Sequence, residues 1–174
     1  MISSPVIVGC GTLGSVLATR LVKENLTTEL TIYDYDCASA SEKYPFRPAE
    51  QGLLKTKIIK LICNKLNPYV QVNAITDKVI TPCIKSSCII DCRDQKDTCI
   101  GAHIALSLDG YRLYIDSRCI RCPTKNYYKY MFPRVPEYVE TAITIIVEYL
   151  KNDMHIYQDM RLYNAKTNEM IMKI

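Results

Sequence analysis

Gly9-Cys10-Gly11-Thr12-Leu13-Gly14 is the segment that most narrows what this chain can become. It follows Pro5-Val6-Ile7-Val8, a β-branched run of the kind that forms a buried parallel strand. It precedes Val16, Leu17, Leu21 and Val22, which recur at helical spacing. A strand, a glycine turn and a helix in that order make a phosphate-binding βα unit. Gly9 permits the tight turn, Gly11 lets backbone approach a ligand, and Gly14 lets the helix pack close to the strand. The helix then presents its N–H groups and positive dipole end to an anion. Asp34 ends the next β-like run, Glu29–Asp34, about 20 residues past the glycines, where an acid accepts hydrogen bonds from ribose hydroxyls. Close packing alone is the other reading of Gly11 and Gly14, but the strand, helix and acid in sequence favour a nucleotide.

The rest of the chain alternates in the same way. Residues 37–50 are small and polar, with Pro45 and Pro48, and read as a loop. Gly52 to Leu66 is an amphipathic helix whose apolar face is expected to be Leu54, Ile58, Leu61, Ile62 and Leu66, with Lys55, Lys57, Lys60 and Lys65 mostly off it. Asn67-Pro68 stops it. Strands are expected at Val70–Ile75, Cys88–Asp91 and Tyr111–Asp116, a helix at Ala102–Leu108, a helix carrying Val139, Ala142, Ile143, Ile146, Val147 and Leu150, and a closing β-hairpin around Asn164–Asn168. The expected fold is α/β: a Rossmann-like open, mainly parallel sheet with helices on both faces and a C-terminal β-hairpin. With 174 residues, a single domain over 1–174 is expected.

Charge and cysteine content exclude some partners. Lys and Arg number 22 against 18 Asp and Glu, too mild an excess for a dedicated nucleic-acid surface, and no apolar run is long enough for a membrane span. Met1–Pro5 has no secretory signal character, so a cytoplasmic chain is expected and its nine cysteines are read as reduced thiols. Cys10, Cys63, Cys88 and Cys92 sit in apolar segments, as small buried hydrophobes. His103 and His155 show no catalytic neighbour in sequence.

From residue 6 to the C-terminus the order of motifs resembles the ThiF/MoeB-type adenylyltransferases, the superfamily that includes ubiquitin-activating enzymes. Gly9–Gly14 matches that family's glycine turn with Thr12 in place of a further glycine, and Asp34-Tyr35-Asp36 matches its Asp-x-Asp. Gly52-Leu53-Leu54-Lys55 opens a helix that ends in Leu66-Asn67-Pro68, Asp91-Cys92-Arg93-Asp94 matches a later Asp-x-x-Asp, and Cys119-Ile120-Arg121-Cys122 a Cys-x-x-Cys. A nicotinamide-dependent oxidoreductase shares the glycine turn and Asp34, but has no reason to carry Gly-x-x-Lys and Leu-Asn-Pro on its second helix.

The resemblance implies ATP-dependent adenylylation of the C-terminal carboxylate of a small ubiquitin-like or sulfur-carrier protein by a homodimer or heterodimer. It implies that Gly9, Gly11, Gly14, Asp34 and Asp36 bind the nucleotide, that Lys55 and Arg47 are phosphate-binding cations, and that Asp94 holds Mg2+. Each has a plainer alternative: Lys55 as a solvated helix residue, and Asp91 and Asp94 as caps of a following helix. The chain also departs from the family. Its first strand begins within a few residues of Met1, so no counterpart is expected here for the arm that lends an arginine across a dimer, and loop 37–51 lacks the family's Asn and Arg-Gln pair. A noncatalytic module that binds nucleotide or a ubiquitin-like protein is therefore the alternative function. Cys119 and Cys122 make half of a zinc site; four ligands are the norm, so zinc needs Cys83, Cys99 or another subunit, and reduced thiols are expected instead. The aromatic segment Asn126–Arg134 is either a grip for an extended peptide or a loop folded on its own core.

Overall fold

The computed structural model describes residues 1–39, 45–77, 88–93, 102–117, 136–152 and 160–173. The chain runs β1 (Val6–Val8), α1 (Thr12–Lys23), β2 (Glu29–Tyr33), a 3-10 turn (Pro48–Glu50), α2 (Lys55–Leu66), β3 (Gln71–Ile75), β4 (Ile89–Asp91), β5 (Ile104–Asp109), β6 (Arg112–Asp116), α3 (Pro136–Asn152), β7 (Met160–Asn164) and β8 (Glu169–Lys173). The strands form one sheet in the order β3-β2-β1-β4-β5-β6-β7-β8. β3 through β5 in that order are mutually parallel, and β5 through β8 are antiparallel. The expected Rossmann-like, open and mainly parallel α/β sheet is found, with the hairpin β7–β8 at its end; of the helices expected on both faces, the three among the described residues share one face.

β1, wholly apolar and buried, is the middle strand of the parallel part of the sheet, between β2 and β4. Its register sets Val8 opposite Tyr33 on one side and opposite Asp91 on the other. The chain leaves β1 toward β2, while β4 fills the other side, so the topological switch point falls between β1 and β4. In such sheets a ligand crevice opens there, at the carboxyl ends of the strands.

All three described helices lie on one face, with α1 between α2 and α3. Ile7, Ile32 and Ile90 of the sheet meet Leu17, Leu21, Ile59 and the α3 residues Val139, Ala142, Ile143 and Ile146 in one core. Each fully buried large apolar side chain there stabilises the fold by about 1.5–3 kcal/mol relative to leaving it in water. The opposite face carries a second, smaller buried cluster of Val6, Val8 and Ile89. No described helix is long and apolar enough to cross a membrane.

Two sequence expectations are corrected. Residues 102–108 are not a helix: Ile104, Leu106 and Leu108 are buried with period two along β5, paired antiparallel to β6 across a turn with Gly110 at φ +58°. The helix-forming Ala and Leu of this short window hide an alternation that cross-strand pairing then decides. His103, expected on that helix, extends the ladder to β4 instead. Its N–H donates to the Ile89 carbonyl at 2.8 Å, and its Nδ1 accepts the Ile89 N–H at 3.1 Å.

The second correction concerns the inner face of α2. Leu61 and Leu66 are exposed, whereas Lys55, Thr56, Ile58, Ile59 and Cys63 are buried. The row Lys55, Ile59, Cys63 at four-residue steps turns toward the interior, which brings a lysine inward at the first turn of the helix. Cys10, Cys63, Cys88 and Cys92 are all buried, as expected.

Candidate nucleotide site

The glycine turn is fixed by backbone contact. Gly9 has φ +94°, and a Cβ there would lie 2.9 Å from the Arg93 backbone nitrogen, so the turn presses against the end of β4. A Cβ on Gly14 would lie 1.9 Å from the Gly9 carbonyl oxygen, which leaves no room for any side chain. These two glycines serve close packing, and Gly11 is left as the one suited to ligand approach. Gly11 also stands at the N-cap of α1 with no side-chain cap bond, and no acid lies in the first turn. Ser15 anchors the turn from inside, its hydroxyl donating to the Cys10 carbonyl at 2.6 Å. α1 thus places no acid of its own at its positive end.

Asp34 stands just past β2, beside this turn. Its Oδ2 accepts the Cys10 N–H at 2.6 Å, and its Oδ1 accepts the Asp36 N–H at 2.8 Å. Burial pushes its carboxyl above the ordinary carboxylate value of 3.8, against the two N–H bonds and the nearby Lys55 charge, which pull it down. The carboxylate oxygens each keep a further lone pair, so Asp34 can still accept from a hydroxyl.

Lys55 enters the crevice from α2. Its side chain is only 8% exposed, and its Nζ lies 3.9 Å from Asp36 Oδ2. The backbone holds the two segments together: Lys55 N–H donates to the Asp36 carbonyl at 3.1 Å, Cys37 bridges Leu54 in antiparallel fashion, and Ala38 N–H donates to the Leu53 carbonyl at 2.8 Å. Gly52, at φ +80°, supplies the left-handed bend that returns the chain to this bridge. Phe46 pins the intervening loop by burying its ring in the core. The solvated reading of Lys55 does not survive its burial.

The remaining expected residues separate. Arg47 is exposed at the start of the 3-10 turn, where its backbone N–H is taken by Glu50 Oε2 at 2.8 Å. No hydrogen bond or ion pair in the structure joins its side chain to Lys55 or Asp34. Asp94, Cys119, Cys122, Cys83, Cys99, His155 and the segment 126–134 lie outside the described residues. Asp91 is buried on β4, and its two oxygens hold the Arg93 guanidinium at 3.0 and 2.9 Å. Burial, and then the Asp34 carboxylate, push the Cys10 thiol well above its ordinary value, which disfavours the thiolate. The pairing of Asp36 with Lys55 was missed in sequence. Its signal lay in the odd placement of a lysine four residues before a buried isoleucine.

Comparison with known proteins supports the same fold. The ThiF family model matches residues 2–129. A search of curated proteins finds no match. Among solved structures, E. coli MccB with ATP superposes with a TM-score of 0.70 at 13% identity, over 99% of this chain and 63% of that one. PaaA does so with a TM-score of 0.69 at 15% identity, over 98% and 63%. E. coli MccB with AMPCPP and MccA gives 0.70 at 13%, over 99% and 63%. The chain thus spans less than two thirds of the length of these relatives.

Proposed function

We propose that this chain, which belongs to the ThiF family, binds ATP at the carboxyl ends of β1 and β2 and transfers its adenylyl group to the C-terminal carboxylate of a small ubiquitin-like or sulfur-carrier protein. The observation that carries this reading is Lys55: a buried lysine side chain beside the N-terminus of α1, whose cap residue is glycine, and a ribose-competent acid. Such a set suits a triphosphate better than a nicotinamide ring, which has no anionic oxygen for a lysine to neutralise. MccB, to which the fold is similar, was crystallised with ATP, in keeping with this assignment.

In the proposed reaction a partner carboxylate oxygen attacks the α-phosphorus, the bond to the bridging oxygen breaks, and pyrophosphate leaves with that electron pair. Catalysis of this kind is largely positioning and charge neutralisation. The α1 N-terminus and the Gly11 backbone cradle phosphate oxygens, Lys55 neutralises developing charge, and Asp34 fixes the ribose through its remaining lone pairs. Asp36 and the exposed Arg47 are assigned to the same site by resemblance, with Arg47 reaching the phosphates from the loop.

Among the described residues no group of three or more His, Cys, Asp or Glu is arranged to hold a metal. Asp34 and Asp36 are engaged by backbone N–H groups and by Lys55. Mg2+ is assigned no step here, and Asp94 stands as its proposed ligand by resemblance alone. A dimer, which the family resemblance implies, is the proposed assembly.

ATP–pyrophosphate exchange tests the reading. Exchange that requires a carrier protein and is lost in Lys55→Ala and Asp94→Ala supports it. No exchange with any carrier, together with undiminished ATP binding in both variants, contradicts it. The exposed Arg47 side chain favours one second reading, a module that binds nucleotide without catalysing transfer. ATP binding without exchange, in a complex with a larger homologue, is its mark.

A further inference from the structure

The two acids of Asp34-Tyr35-Asp36 share a motif, yet the structure gives them different surroundings. Asp34 is half-buried, with a backbone N–H on each oxygen. Asp36 has a side chain 54% exposed, and its carboxylate is directed at Lys55. We propose that Asp36 is a positioning residue, the resident counter-ion of Lys55, which phosphate displaces when a ligand enters, and that it does not itself contact the nucleotide. This inference rests on the crevice being a nucleotide site.

Three observations carry it. First, a side chain 8% exposed cannot keep an ammonium at low cost without a negative neighbour, because burial disfavours the charged form. The titratable groups facing Lys55 among the described residues include Asp34 and Asp36 from the end of β2 and the Cys10 thiol from the glycine turn. Second, Asp36 is the movable one of the two acids. Its backbone is fixed by the N–H bond to Asp34 and the carbonyl bond from Lys55, while its carboxylate is more than half in solvent.

Third, the ion pair is loose. At 3.9 Å it is longer than a hydrogen bond, whereas a phosphate oxygen takes an ammonium proton at roughly 2.7–2.9 Å. Exchange of Asp36 for phosphate is therefore favourable, and the acid swings into water. The same carboxylate opposes phosphate entry for as long as it remains.

The test titrates the full chain with ATP, inorganic tripolyphosphate and adenosine, in the wild type, Asp36→Asn, Asp36→Glu, Lys55→Met and the Asp36→Asn/Lys55→Met double variant. Asp36→Asn is expected to tighten ATP and tripolyphosphate about three- to tenfold, with adenosine unchanged. Asp36→Glu keeps the charge and stays near wild type, and the gain vanishes when Lys55 is Met. A loss of affinity for ATP and adenosine alike makes Asp36 a nucleotide contact and overturns the proposal, as does no change with any ligand.

A second measurement needs no ligand. Acylation of the Lys55 amine in the free protein at neutral pH, read by mass spectrometry, should rise several-fold in Asp36→Asn and return to wild type in Asp36→Glu. Unchanged labelling overturns the counter-ion assignment. Raised labelling in a protein that binds neither ATP nor tripolyphosphate supports that assignment and overturns the nucleotide reading. Thermal melting of each variant separates these outcomes from misfolding.

Discussion

The glycine turn and the Asp36–Lys55 clasp face each other across the crevice and are built on different principles. The turn is held by backbone against backbone, with Gly9 against the end of β4 and Gly14 against the Gly9 carbonyl. The clasp is held by one isolated bridge, a few main-chain hydrogen bonds and a loose ion pair. One region allows no substitution and carries no charge of its own; the other carries the charge and allows adjustment. A site that must both hold a phosphate and release a product benefits from a rigid dipole on one side and a repositionable cation on the other.

The contrast is broken most directly at Gly14. Gly14→Ala puts a methyl 1.9 Å from a carbonyl oxygen that has nowhere to go, so stability should fall by about 3 kcal/mol or more in a urea titration. Wild-type stability in this variant would mean that the turn is as adjustable as the clasp. Lys55→Met comes next. It keeps the buried stem and removes the charge, and it should weaken ATP binding by roughly 10- to 100-fold while leaving adenosine binding unchanged. An equal loss for adenosine would place the damage in the fold rather than in the phosphate site.

A smaller effect comes from Asp34. Its folded carboxyl titrates above its ordinary value of 3.8, mainly because of burial, so the folded state holds the proton to higher pH than the unfolded chain does. Stability contributed by this group therefore falls as pH rises from the ordinary value through the raised one, and the cost is fully present above it. Wild-type thermal midpoints should decline relative to those of Asp34→Asn across that window and then run parallel. A relative rise with pH would show that the two N–H bonds outweigh burial. The smallest effect is expected at Arg47. Its side chain is exposed, so Arg47→Ala should change stability by less than about 0.5 kcal/mol, and any loss of exchange activity can then be ascribed to the phosphates.

What could be read in advance follows the same division. The glycine turn and Asp34 were legible because backbone geometry restricts them to a few residue types at fixed spacing. The α3 stripe was legible because its apolar period is unambiguous, and the closing hairpin because Asn164–Asn168 separates two short runs with turn-forming residues. The inner face of α2 was not, since five apolar residues suggested Leu61 and Leu66 as core while the clasp rotates Lys55, Ile59 and Cys63 inward. Strand β5 was misread because six residues with Ala and Leu fit either period, and only pairing with β6 decides. The Asp36–Lys55 pair depends on a bridge between residues 37 and 54, a long-range contact that local sequence does not encode.

The central claim is that this crevice takes ATP through Lys55, and calorimetric titration of the full chain with ATP and NAD, in wild type and Lys55→Met, tests it. The account predicts saturable ATP binding, much weaker in Lys55→Met, and weaker binding of NAD in the wild type. Tighter binding of NAD, or ATP binding that ignores the loss of Lys55, would contradict it.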